Sequence, residues 1–137
     1  MSLLAAVHTR WSGDEALTEL LPVASVTTGA NVSADGDEPD RPYATIETQP
    51  SYARMYTTGG KYVEEAIRIV VYHDADSLDE LEAIVAAIET TYDDVDFTID
   101  TSNEAIRMRQ SGQAQYMQDD AFRWYAVIDY IALNRKG

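Results

Sequence analysis

The chain has 137 residues, no cysteine, and 24 Asp plus Glu against 10 Lys plus Arg, a formal net charge of −14. That length supports one domain, 1–137, with a core of its own, and the missing thiols exclude disulfides and Cys-based metal sites. The two lysines, Lys61 and Lys136, and the scattered arginines make no basic patch, so the surface repels nucleic-acid backbones and anionic membranes.

Residues 1–11 are too short and too polar for a signal peptide or a membrane span, so a soluble product made in the cytoplasm is expected. Ser2 can cap a short helix whose Leu3, Leu4, Val7 and Trp11 fall at helical spacing. Ser12 with Glu15 fits a capping box. Leu17, Leu20 and Leu21 then form a second apolar face, and Pro22 stops it. Residues 27–42, rich in Gly, Asn, Ser, Asp and Pro, predict an exposed loop that is acidic around 35–40.

Alternation and β-branching predict a strand over 43–49. A long loop is expected over 50–60, carrying Tyr52, Met55 and Tyr56 and closed by Gly59-Gly60. The strongest strand runs over 61–72, with Val63, Ile67, Ile69 and Val71 on one face and Glu64, Arg68 and Tyr72 on the other. The best helix follows. Ser77 and Glu80 read as its capping box, and Leu78, Leu81, Val85, Ile88 and Tyr92 recur at steps of three and four. A polar turn follows, then short strands over 97–99 and 104–110. A closing strand is predicted over 122–133, with Phe122, Trp124, Ala126, Ile128 and Tyr130 on one face and Tyr125, Val127 and Ile131 on the other. The implied fold class is α+β: a mostly antiparallel four- to five-stranded sheet with helices packed on one face.

Chemistry is sparse. His73, Asp74, Asp76 and Asp79 have the types of a divalent-metal cluster, but capping and dipole complementation at a helix start account for them more simply. Asp93, Asp94, Asp96 and Asp100 lack the glycine and terminal glutamate of a calcium loop and read as a solvated turn. With two histidines and no nucleophile elbow or Gly-rich phosphate loop, no catalytic residue, cofactor site or metal site is assigned, and an enzyme is not expected. Tyr52, Met55, Tyr56, Tyr116 and Met117 fall in predicted connections, where Tyr and Met are enriched at interfaces. The alternative is that they fold back onto the sheet. A last strand apolar on both faces requires cover on each, so Tyr125, Val127 and Ile131 join the candidate subunit or partner interface.

The chain resembles the tail terminator or tail-completion proteins that sit at the head-tail joint of tailed viruses and prophages. The likeness runs nearly end to end. It is carried by the helix over 3–11, by 13–21 with Pro22, and by Arg41-Pro42-Tyr43-Ala44-Thr45-Ile46 opening a strand. Gly59-Gly60 before the strand over 64–72, Val71-Tyr72-His73 before the helix over 77–92, and the closing strand over 124–133 complete it. The acidic stretch over 35–40 is not part of that pattern.

The resemblance implies a virion structural protein assembled in the host cytoplasm as a ring, commonly a homohexamer. Such a ring caps the tail tube, ends its polymerisation, docks the head completion or connector protein, and passes DNA through its channel without binding it specifically. A closed ring needs heterologous interfaces. The pervasive acidity fits a salt-saturated cytoplasm, and a halophilic archaeal virus is the expected source. An acidic channel wall along which DNA slides is a second reading of the same charge. The alternative function is a small-molecule-binding or regulatory α+β domain, which would need a concave apolar pocket with convergent polar groups.

Overall fold

A computed structural model of the chain describes residues 3–28, 41–57, 60–74, 78–98 and 105–136. Three helices and seven strands are present among them. Helix α1 is Leu3–Ser12, α2 is Glu15–Leu20 and α3 is Asp79–Tyr92; a single 3₁₀ turn, Val23–Ser25, leads from α2 into the sheet. The strands are β1 Val26–Thr28, β2 Tyr43–Thr57, β3 Gly60–Tyr72, β4 Val95–Thr98, β5 Ala105–Gln110, β6 Gln115–Gln118 and β7 Trp124–Lys136. Their order is β1-β2-β3-β7-β5-β4, with β6 also on β7.

The class is α+β as expected, but the sheet is larger than the predicted four to five strands, and it is mixed and curled into a half-barrel. Three local features account for this. First, β1 emerges from the predicted loop and runs parallel to β2, pairing Val26 with Ala44. Second, the expected loop over 50–60 continues β2 as a strand. The register slips between Thr48 and Tyr52, and Pro50 lies within the slip. A proline that cannot donate to a ladder is tolerated at such a bulge. Beyond it, Tyr52 pairs with Glu65 and Thr57 with Gly60. Third, the connection carrying Tyr116 and Met117 is itself strand β6. Strands β5 and β6 line the same edge of β7, and residues 111–114 between them stand opposite only Ile128 and Asp129. Gly112 there has φ 92°, a conformation that suits glycine.

Strand alternation divides the sheet into two faces. Ala44, Ile46, Ile67, Ile69, Val71, Ile106, Met108, Ala126, Ile128, Tyr130 and Ala132 join the helices in one buried cluster. From the helices come Leu3, Val7 and Trp11 of α1, Leu17 of α2, and Leu81, Ile84, Val85, Ile88 and Tyr92 of α3. The expected apolar positions are thus largely correct, except that Leu20 faces out at 43% exposure.

Side-chain to backbone bonds fix how the helices meet. Tyr92 Oη donates to the Val7 carbonyl at 2.6 Å, and Trp11 Nε1 to the Leu21 carbonyl at 3.1 Å. Arg10 Nε donates to the Thr91 carbonyl at 2.8 Å, which places a cation at the end of a helix with no basic residue in its own last turn. Asp14 is the N-cap of α2: Oδ1 accepts from the Leu17 amide at 2.9 Å, and Oδ2 accepts from Thr91 Oγ1 at 2.9 Å. The predicted Ser12–Glu15 box is therefore not formed. Ser12 is the last residue of α1 and donates back to Thr9. The cap expected at Ser2 and that at Ser77 fall outside the described residues, as does the acidic stretch over 35–40. No described helix is long and apolar enough to cross a membrane.

Two core tyrosines differ in a way that can be tested. Tyr92 and Tyr130 are both fully buried, and burial raises the pKa of both phenols, so each stays neutral. Tyr92 has the Val7 bond, whereas the Tyr130 hydroxyl has no hydrogen-bond partner among the described residues. Tyr92→Phe should lower stability by about 1 kcal/mol, while Tyr130→Phe should be neutral or stabilising, because it removes a buried hydroxyl that is already unsatisfied. Urea unfolding in molar salt would check both. Equal losses would contradict the assignment.

Candidate subunit interface

The face of the sheet turned away from the helices collects most of the described interface candidates. Its first row is aromatic. Tyr43 pairs in register with Tyr72, Tyr72 with Tyr125, and Tyr125 with Met117. The rings of Tyr43 and Tyr72 stack at 4.7 Å between centroids, those of Tyr72 and Tyr125 at 5.9 Å, and Tyr125 Oη lies 3.7 Å from Met117 Sδ. The next row is Thr45, Val70 and Val127, all buried. A charged row follows, in which Glu47, Arg68 and Asp129 align and Arg68 makes a two-pronged contact with Asp129 at 2.8 and 3.3 Å. The hydrogen bond and charge of Asp129, with Glu47 aligned beyond, raise the Arg68 pKa against some desolvation, so the guanidinium stays charged. Both members are about two-fifths exposed, so the pair contributes little to stability.

Farther along, Ile131 stands across from Arg109 and Leu133 across from Arg107. These four and Glu64 line an open depression of ≈ 350 Å³. This is a surface hollow with a strip of apolar floor and arginines on its rim.

One corner of this face is rigidly built. Arg41 precedes a cis proline bond to Pro42. Its guanidinium lies 5.4 Å from the centroid of the Tyr72 ring, donates to the His73 carbonyl at 3.1 Å, and reaches Asp119 Oδ2 at 3.3 Å. Asp119 organises the β6–β7 turn. Oδ1 accepts from the amides of Ala121 at 2.9 Å and Arg123 at 3.0 Å, and Oδ2 also takes Arg123 Nε at 3.2 Å. The turn leaves Phe122 at φ 62° and 78% exposed. Sequence alternation placed Phe122 as the first residue of the last strand. The strand instead begins at Trp124, because the Asp119 bonds curl the chain just before it.

The candidates separate as follows. Met117, Tyr125, Val127 and Ile131 share the helix-free face. Tyr116 lies on the helix side: it packs against the core, and burial, then the nearby Glu82 and Glu89, raise its pKa. Tyr52, Met55 and Tyr56 lie in the distal half of β2, and their side chains are outside the described set. Sequence reasoning missed Tyr43, Arg41 and Asp119. Tyrosines at alternating positions of three strands were visible, but only the register aligns them.

Members of the second acidic cluster serve the fold, as does His73 of the first. His73 is buried and its Nε2 lies 3.0 Å from Glu80 Oε2, which ties the end of β3 to the first turn of α3. Asp93 Oδ1 accepts from the Gln110 amide at 2.8 Å. Asp94 and Asp96 hold Arg107 at 2.6 and 3.0 Å, and these two charges raise the Arg107 pKa, Asp96 most of all. Among the described residues no group of three His, Asp or Glu is arranged to hold a metal; Asp76 and Asp100 lie outside them.

No family model matches the sequence, and no curated protein matches it. Among solved structures the fold is similar to a chain of the virion of a native gene transfer agent (GTA) particle. The TM-score is 0.75 at 17% identity, covering 98% of this chain and 96% of that one. At such identity the likeness establishes the fold, and its coverage shows that the whole architecture is shared.

Asp119 gives a pH prediction. The backbone N–H of Arg123, then that of Ala121 and the charges of Arg123 and Arg41, hold its carboxyl below the usual range against some desolvation. A depressed folded pKa adds stability that is complete above the unfolded value of about 3.9 and is lost as pH falls through the folded value. Asp119→Asn should therefore flatten the acid limb of the stability profile between about pH 5 and about pH 2, measured by urea midpoints. Parallel limbs for variant and parent would contradict this.

Proposed function

We propose that this chain is a virion structural protein of the head-tail joint: a ring that caps the tail tube, ends its polymerisation and docks the head completion or connector protein. The observation that carries the reading is the end-to-end fold match with a virion chain, at 98% and 96% coverage. It coincides with the resemblance of the sequence to tail terminator proteins. Its work is geometric, not catalytic, and DNA passes through the channel without specific binding.

The helix-free face supports this role. It presents Tyr125, Met117, Ile131 and Leu133 with no described helix packed over them, and tyrosine and methionine are favoured at interface centres. A net charge of −14 opposes close packing of copies in dilute buffer. Molar salt cuts the Debye length to about 3 Å and relieves that repulsion. The ring is accordingly proposed to assemble in concentrated salt, as in the cytoplasm of a halophilic host.

Tube growth tests the proposal. Tail tube protein polymerising in molar salt should stop at shorter lengths when this chain is added, and gold-labelled chain should mark one tube end in electron micrographs. Unchanged tube lengths with label absent from the ends would refute the terminator role.

A further inference from the structure

Three large apolar side chains are exposed among the described residues: Leu20, Phe122 and Ile131. Two of them sit in built surroundings of opposite shape. Phe122 is a projection. A bulky residue at positive φ is uncommon and strained, and here Asp119 imposes the strain by gripping the turn on both sides of it. The result is an aromatic ring held out into solvent beside exposed Asp120. Ile131 lies in a hollow. It shares the ≈ 350 Å³ depression with Leu133, Glu64, Arg107 and Arg109. The open depression is roomy enough to take an aromatic ring over its Ile131–Leu133 floor.

The charges are complementary as well. Arg107 is committed to Asp94 and Asp96. Arg109, directly across from Ile131, is exposed and has no ion pair among the described residues. It is the open counter-charge for an incoming acid such as Asp120. A chain cannot satisfy its own hollow, because Trp124 and Ile131 lie seven residues apart along β7, roughly 23 Å at about 3.3 Å per residue.

We propose that Phe122 of one copy inserts into the Ile131–Leu133 hollow of the next, with Asp120 meeting Arg109. The two surfaces differ, so the contact is heterologous and closes a ring when the rotation between copies divides a full turn. The proposal rests on the ring reading above and assigns its subunit contact. In molar salt the ionic part is screened, whereas apolar insertion persists. Phe122 therefore matters more to assembly than Asp120 does.

The absence of native cysteine allows a direct test. Phe122→Cys and Ile131→Cys are purified separately, mixed in molar salt, oxidised, and run on non-reducing gels, while the unmodified chain is sedimented alongside. The mixture should give a disulfide dimer that neither variant gives alone, and the double variant should give a ladder ending at the ring number. Phe122→Ala should raise the concentration for half-assembly at least tenfold, and Leu20→Ala, also exposed and apolar, should leave it unchanged. A sedimenting ring without the mixed dimer, or with Phe122–Phe122 dimers instead, would overturn this contact and leave the ring reading standing. A monomer with no cross-link would overturn both.

Discussion

Strand β7 is the constraint on which the rest of the structure depends. It pairs with β3 along one edge and with β5 and then β6 along the other, so both halves of the sheet meet on it. Its two faces are both substantially apolar. Ala126, Ile128, Tyr130 and Ala132 face the helices, and Tyr125, Val127, Ile131 and Leu133 face away. A strand apolar on both sides must be covered on both. The helices cover one side, and their arrangement is fixed by a few bonds from Tyr92, Trp11, Arg10 and Asp14. The other side carries the tyrosine ladder and the Ile131 hollow, where the chain's own described helices contribute nothing. The proposed assembly builds on that asymmetry at the exposed Ile131 end, since Val70 and Val127 are already buried within the chain.

Much of this was legible in the sequence where one period dominated. The helix-facing positions of β3 and β7, the core stripe of α3 and the apolar face of α1 follow from spacing alone. The misses have physical causes. Pro50 looked like the start of a loop, but a bulge lets a long hairpin run through it. Ser12 looked like a cap because it precedes Glu15 by three; Asp14 takes that role, since its second oxygen also reaches Thr91 on a helix distant in sequence. Phe122 matched the alternation of β7, yet Asp119 pulls it into a turn. The first two were decided by contacts distant in sequence, whereas the Asp119 turn is a local one that overrides the alternation.

The helix-free face was half legible for the same reason. Tyr125, Val127 and Ile131 could be placed on one face because a two-faced strand is visible in one dimension. Arg41, Tyr43, Tyr72 and Asp119 gather around that strand only through register and hairpin closure. Some carboxylates are fastenings: Asp94 and Asp96 hold Arg107, and Glu80 meets buried His73. The carboxylates therefore do two jobs, locking a few arginines in place and charging the remaining surface. For the proposed ring the second sets the condition, because copies with so much like charge approach one another more readily where salt screens it.

The central claim is that the chain closes on itself in a ring. The most direct measurement is the mass of the purified protein by light scattering, in molar salt and again in dilute salt. The account predicts a single discrete species near a hexamer in molar salt, whose mass does not grow with protein concentration, and its dissociation in dilute salt. A monomer in both conditions, or an open series lengthening with concentration, would contradict it.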